Sequence, residues 1–195
     1  MKLVEIKLPD TSMFSNFCDL YNLSFPDDSE REDTQLFRDR LEKPWDGGAK
    51  FHLIVATRDE WECLGGVVLE YYPESECGLI TYVCVDERYR QLGIAADLIQ
   101  EAIRTFVDDS HNLRAIYVET EDPYKVTGGI FDPKVRFEFW GKLGFRPTGL
   151  SYIQPALGAG QNPCDNLLLL SHGKVPVQVT ESFIREFYAA FEDLK

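Results

Sequence analysis

The chain has 195 residues, a formal charge of -13 and an isoelectric point near 4.6. That length suits one domain with a substantial core. The acidity excludes a general nucleic-acid binder or a protein that docks on an anionic membrane, since both need a basic face, and it suits a cationic small molecule such as an amine.

Leu3 to Leu8 alternates apolar and polar residues and predicts a first strand. Pro9-Asp10-Thr11-Ser12 then supplies a turn and a helix cap. Met13, Phe14, Phe17, Leu20 and Tyr21 recur at helical spacing, and Phe25-Pro26 ends that helix. A second helix is expected from Asp28 or Ser29 through Leu36, Phe37 and Leu41, with a charged, solvated outer face. Trp45-Asp46-Gly47-Gly48 reads as a loop. Phe51 to Ala56 reads as a partly buried strand, Asp59-Glu60-Trp61-Glu62 as a hairpin turn, and Leu64 to Tyr72 as its partner, weakened by Gly65-Gly66. Pro73-Glu74-Ser75-Glu76 is a further turn. It leads into the apolar run Leu79 to Val85, of strand length.

Next comes Asp86-Glu87-Arg88-Tyr89-Arg90-Gln91-Leu92-Gly93-Ile94-Ala95-Ala96. Ile94/Ala95, Leu98/Ile99, Ala102/Ile103 and Phe106/Val107 then form one helical face. Gly93, Ala95 and Ala96 are small where that helix begins, so another group can approach its free N–H donors. A helix N-terminus with open donors is an anion site, and Arg88 and Arg90 add charge beside it; a pyrophosphate would suit the turn. Ala115 to Glu119 is a further apolar strand, with a parallel partner expected through the helical crossover. The stretch from Thr120 to Phe131, with Gly128-Gly129, is a long loop. Asp132-Pro133 starts a helix, Asp as cap and Pro at the first position, which runs from Val135 to Leu143 and ends at Gly144. Thr148 to Ile153 and Asn166 to Leu170 read as strands around a Gly- and Pro-rich loop. Phe183, Ile184, Phe187, Tyr188, Phe191 and Leu194 mark an amphipathic C-terminal helix, expected over about 180–194, that covers a sheet face or mediates a homodimer.

Two of these stretches, in order, resemble the GNAT acetyltransferase superfamily. One is Arg90-Gln91-Leu92-Gly93-Ile94-Ala95, preceded by Val85 and Tyr89; it is similar to the family's Arg/Gln-x-x-Gly-x-Gly/Ala coenzyme A segment. The other is Phe139-Trp140-Gly141-Lys142-Leu143-Gly144-Phe145, which resembles the F-Y-x-x-x-G-F signature of the fourth helix. Gly65-Gly66-Val67-Val68 looks like the family's third strand, and Ser24-Phe25-Pro26 with Glu30-Arg31 resembles the region between its first two helices. The likeness covers residues 50–150 well and the ends poorly. It implies an α/β (α+β) GNAT acyltransferase fold. That is a mixed, mostly antiparallel twisted sheet of about seven strands with helices on both faces, a single domain with a core over about 3–171, and an added C-terminal helix.

The resemblance also implies a site. Acetyl-coenzyme A would lie where two central strands splay apart. Val83, Cys84 and Val85 would offer backbone groups to the pantetheine arm. Arg90, Gln91, Leu92, Gly93, Ile94, Ala95 and Ala96 would hold the pyrophosphate. A substrate amine would attack the acyl group directly, so no nucleophilic Cys is required, and apolar surroundings make Cys84 a structural thiol. Leu79 and Thr81 stand where some members carry a carboxylate or His, so that base is absent. Glu119 matches the base Glu of the ribosomal-protein N-terminal acetyltransferases; Glu121 shares its side of the strand, and Glu70 is a third carboxylate in the region. Glu119 and Glu121 could instead be solvent-facing strand-end residues or binders of a cationic substrate. The family's tyrosine in the fourth helix, which protonates the leaving thiolate, is replaced by Trp140, whose N–H is no usable acid. Tyr152, Tyr124 or solvent would then serve. Pro133 stands where the family tends to have Asn.

The five cysteines, Cys18, Cys63, Cys77, Cys84 and Cys164, are odd in number and widely spaced, with no C-x-x-C. They read as neither a zinc site nor a disulfide framework, and no metal is expected. His52, His111 and His172 are scattered and read as structural or surface residues. Free thiols, with no signal-type or bilayer-length apolar run, make the cytoplasm the expected location. Three readings follow: acetyl transfer to a primary amine, an acyl-coenzyme A sensor without turnover, and transfer of a longer acyl chain.

Overall fold

The computed structural model describes residues 1–43, 46–59, 61–127, 132–158 and 160–191. Trp45, Glu60, the Gly128-Gly129 pair through Phe131, and the end of the last helix at Leu194 lie outside them. Seven strands are present: β1 (Lys2–Glu5), β2 (Lys50–Thr57), β3 (Cys63–Tyr72), β4 (Cys77–Val85), β5 (Ala115–Glu121), β6 (Phe145–Pro147) and β7 (Leu167–His172). The helices are α1 (Ser12–Ser24), α2 (Thr34–Glu42), α3 (Ile94–Asp109), α4 (Pro133–Lys142) and α5 (Val177–Ala189). The strands form one sheet in the order β1-β2-β3-β4-β5-β7-β6. Neighbours are antiparallel except β4 and β5, which are parallel because α3 carries the chain back across the sheet.

Period-2 alternation assigns the faces. On one, α3 and α4 pack Leu98, Ile99, Phe106 and Trp140 over Ile80, Ile116 and Val118. On the other, α1 and α2 set Phe17, Tyr21 and Phe37 against Leu53, Val68 and Tyr82. Beside them α5 buries Val179, Phe183 and Phe187 on Tyr72, Leu79 and Tyr117. That helix begins at Val177, directly behind Pro176 at its N-cap. Its apolar face is spent on the sheet.

Three local expectations change. Residues 148–153 form no ladder; the strand is β6, just before them, and among the described residues between β6 and β7 the pairing that follows is an isolated bridge of Gln154 with Cys164. Thr148 N–H still donates to the Leu169 carbonyl at 3.0 Å, but Gly149 then turns left-handed with φ 77°, and the ladder stops there. Asp28–Glu30 is a single 3₁₀ turn, and α2 starts only at Thr34, where the Asp33 side chain accepts from Gln35 N–H. The charged face of α2 is not wholly solvated either. Arg40 reaches inward to Glu32 (2.7 Å) and Glu70 (3.0 Å), both buried.

His52 is a brace, set between Glu5 (2.6 Å) and Asp109 (2.7 Å). Gly65 and Gly66 are sites of close approach rather than weak points. A Cβ on Gly66 would sit 2.5 Å from the Phe17 ring, and one on Gly65 would sit 2.7 Å from the Cys84 carbonyl. Gly66→Ala is therefore expected to cost about 1–3 kcal/mol of stability by overpacking, read as a lower urea midpoint; an unchanged midpoint would show that α1 shifts freely.

Candidate coenzyme and acceptor site

The site begins as a fork between β4 and β5. Their parallel pairing ends at Ile80 with Val118, although β4 continues to Val85 and β5 to Glu121. The cause lies on the other side of β4. Leu69 pairs with Ile80 and Val68 with Tyr82, so Thr81 is an extra residue, a bulge. A bulge bends its strand and increases its local twist, which turns β4 away from β5. Beyond it, β4 stays paired to β3 through Val85 but has no ladder on the β5 side. Val83, Cys84 and Val85 all lie on that open stretch. The Thr81 and Thr120 hydroxyls are buried near the fork with no partner among the described residues.

At the mouth of the fork the chain turns sharply into α3. Gln91 and Gly93 both have left-handed backbone, with φ 64° and 84°. Gly93 is the N-cap and has no side chain to accept from the first turn, so the opening N–H groups of α3 lack a protein acceptor of the usual kind. Two adjoining cavities meet here. The smaller, about 350 Å³, is lined by Arg90, Gln91, Gly93, Ile94, Ala95 and Ala96, among others. The larger, about 780 Å³, runs past Val83, Cys84 and Val85 to Trp140 on one side and Phe25 and Pro26 on the other. Leu92 is exposed and its side chain lines neither cavity. Arg90 lines both, whereas Arg88 is turned to Asp86 at 2.6 Å.

Carboxylates dominate the charged lining of the larger cavity. Asp27, Glu30, Glu121 and Asp132 line the larger cavity, with Arg90 and Arg136 as its cations. Glu121 is ion-paired with Arg136. Burial, followed by the negative charges of Asp27 and Glu121, pushes the Glu30 carboxyl up. Glu119, two residues before Glu121 on the same face, lies one pleat deeper. It lines neither cavity; its carboxylate accepts from the Tyr152 hydroxyl and from Gln154 Nε2 at 2.8 Å. Burial pushes the Glu119 carboxyl up to about 7, the two hydrogen bonds pull against that rise, and the charges of Glu70 and Glu32 add to it.

The thiolate-protonating roles assigned to tyrosines find no support in this geometry. Tyr152 commits its proton to Glu119, and burial beside that carboxylate raises its phenol well above the usual range. Tyr124 is 89% exposed. Trp140 is buried against Phe139 and Phe145 and walls the larger cavity, which has no tyrosine among its described lining residues. Burial pushes the Cys84 thiol up to about 12, which removes it as a nucleophile. All five cysteines are free, and no cluster of metal-ligating side chains occurs among the described residues. No helix among those residues is long and apolar enough to cross a membrane.

A family model for the acetyltransferase (GNAT) family matches residues 14–127. The chain belongs to this family. A search of curated proteins finds no match. Among solved structures, a GNAT-family protein from Bacteroides thetaiotaomicron superposes with a TM-score of 0.74 over 100% of both chains, at 17% identity. An aminoglycoside 6'-N-acetyltransferase complexed with coenzyme A gives 0.63 over 90% of this chain and 98% of its own, at 15% identity. Tetrahymena GCN5 gives 0.58 over 88% and 94%, at 9% identity. At such identities the likeness is one of fold.

Asp27, Asp132 and Arg136 were missed as site residues by sequence reasoning. Asp27 follows the Phe25-Pro26 helix stop, and Asp132 was visible only as a helix cap. Gln154 was also missed. It carried no signal beyond its place in a Gly- and Pro-rich loop.

Proposed function

We propose that this GNAT protein transfers an acetyl group from acetyl-coenzyme A to a primary amine by direct attack, with Glu119 as general base. The observation that carries the reading is the joining of two features: the open edge of β4 and the uncapped start of α3, which share one pair of cavities. A pantetheine arm fits the first, as an extended amide chain adds to a free strand edge. A pyrophosphate fits the second. The orphaned Thr81 and Thr120 hydroxyls favour a polar ligand in the fork.

The coenzyme supplies the acetyl group as a thioester, whose C–S bond breaks as the acceptor nitrogen forms its C–N bond. Glu119 takes the proton that the amine must lose, through water, because it stands one pleat behind the cavity-lining Glu121. The carboxylates around the larger cavity hold a cationic acceptor in place and raise its local concentration. The sulfur leaves as a thiolate and is protonated by water, since a thiolate whose acid has a pKa of about 8.5 is a weak enough base to leave without an acid catalyst. The free cysteines suit a reducing compartment such as the cytoplasm.

A second reading, coenzyme binding without turnover, is favoured by Trp140 in place of a tyrosine. Thermal unfolding with coenzyme A and acetyl-coenzyme A tests what both readings share. Coenzyme at a hundredfold excess over its Kd is expected to stabilise by about 2.7 kcal/mol. Gly93→Glu, which sets a negative charge at the α3 N-terminus, is expected to lose the shift. Gly93→Asn, uncharged and tolerant of left-handed backbone, is expected to keep much of it. No shift with either coenzyme would overturn both readings.

A further inference from the structure

We propose that Tyr152 and Gln154 are positioning residues, held by the 154–164 loop and by α5, that present the Glu119 carboxylate to the acceptor amine; this rests on Glu119 being the base. Each oxygen of Glu119 has its own donor. The Tyr152 hydroxyl takes Oε1, and Gln154 Nε2 takes Oε2 at 2.8 Å. Residues 152 and 154 come from an extended segment that belongs to no ladder, so their side chains would wander if nothing pinned the backbone. It is pinned at both remaining points. Between the two donors, the Ile153 carbonyl accepts from the Tyr188 hydroxyl of α5 at 2.6 Å, and Ile153 N–H donates back to that oxygen at 3.3 Å. Gln154 exchanges backbone hydrogen bonds with Cys164 at 2.8 and 2.9 Å, which closes the neck of the loop. Near the tip of that loop, Gln161 Nε2 donates to the Asp28 carbonyl at 2.7 Å, in the segment whose Asp27 and Glu30 line the larger cavity. One connected frame therefore joins the base, α5 and the acceptor wall.

The donors also set the charge state of Glu119. The groups around it are Tyr152, Gln154, Glu70 from β3 and Glu32 before α2. Arg40 bridges those two glutamates, Tyr72 donates to Glu70, and Tyr188 lies beside Tyr152. Burial and the two glutamates favour the protonated form, and the two donors on Glu119 oppose them. Each carboxylate oxygen keeps a further lone pair, so Glu119 can hold both donors and still accept a proton.

The test is a carbon-13 NMR titration of the glutamate carboxyls, with the Glu119 signal assigned by Glu119→Gln. It is run on the wild type, Tyr152→Phe and Gln154→Leu. Tyr152→Phe removes one oxygen and keeps the ring packing. Each variant is expected to raise the Glu119 midpoint by about one pH unit. The thermal shift with coenzyme A should stay as in the wild type. Acetyl-coenzyme A consumption is then followed from pH 6 to 9 with spermidine, an aminoglycoside and a short peptide with a free N-terminus as probe amines. The acid limb should move up by the same interval. Unmoved midpoints in both variants would overturn the positioning role while leaving the base intact. Full turnover by Glu119→Gln would overturn the base, and the positioning role with it, even if the midpoints move.

Discussion

Glu119→Gln is expected to lower acetyl transfer by about 10²- to 10⁴-fold, the range a general base supplies, while coenzyme A binding persists. In the wild type kcat/KM should rise with pH through about 7, where Glu119 loses its proton. The sign follows from the role: only the ionised carboxylate accepts a proton. The variant should lose that limb. Its fold should tolerate the change, because a carboxyl raised above its unfolded value favours folding when protonated, and that benefit is lost as pH rises through about 7. A neutral side chain at this place gives up no charge-dependent stability at pH 8. Steady-state rates against pH, with thermal shifts run in parallel, check the prediction. Equal rates for wild type and variant would leave Glu121, which lines the larger cavity, as the carboxylate to test next. Absent turnover in both, with coenzyme binding retained, would favour the sensor reading.

Arg40→Met is expected to be the most destabilising change on the acceptor side. Glu32 and Glu70 are 3% and 5% exposed, and Arg40 bridges them. The arginine remains charged, because the two carboxylates outweigh the cost of its partial burial. Its loss would leave two like charges buried without a cation, which costs about 3–5 kcal/mol at neutral pH. Burial already raises the Glu32 carboxyl, Arg40 lowers it, and Glu70 raises it again. Without Arg40 the rise is larger. The deficit should therefore be greatest near pH 8 and shrink toward pH 5 as Glu32 takes up a proton. Glu32→Gln and Glu70→Gln added to Arg40→Met should recover most of the loss. Urea unfolding at the two pH values decides it: a loss below about 1 kcal/mol with no recovery would make this an ordinary surface pair.

The legible parts of the chain were those with a local cause. The alternation in 51–56, the apolar run in 64–72, the helical stripe from Ile94 to Phe106, the small residues at the α3 start and the Asp132-Pro133 cap all act between residues a few positions apart. The order of these signals carried the family resemblance, and with it the turn into α3 that lines both cavities. Local signals also misled. Thr148 to Ile153 has strand composition, yet after one bond from Thr148 N–H to Leu169 the left-handed Gly149 takes it out of the ladder. Arg40 reads as one more surface charge on α2, yet it turns inward because β3 offers it Glu70.

The surroundings of Glu119 were decided by tertiary structure. Tyr152 meets Glu119 across 33 positions of sequence because β7 and β6 close the sheet beside β5 and return the chain over the α5 face. The fork depends on one extra residue, Thr81, whose effect exists only against the register of β3. Spacing along a chain fixes which residues share a face, since a strand repeats every two residues and a helix every 3.6. Which carboxylate receives two donors, and which strand loses its ladder to open a fork, follows from strand order and register, and these are set by contacts between residues far apart in the chain.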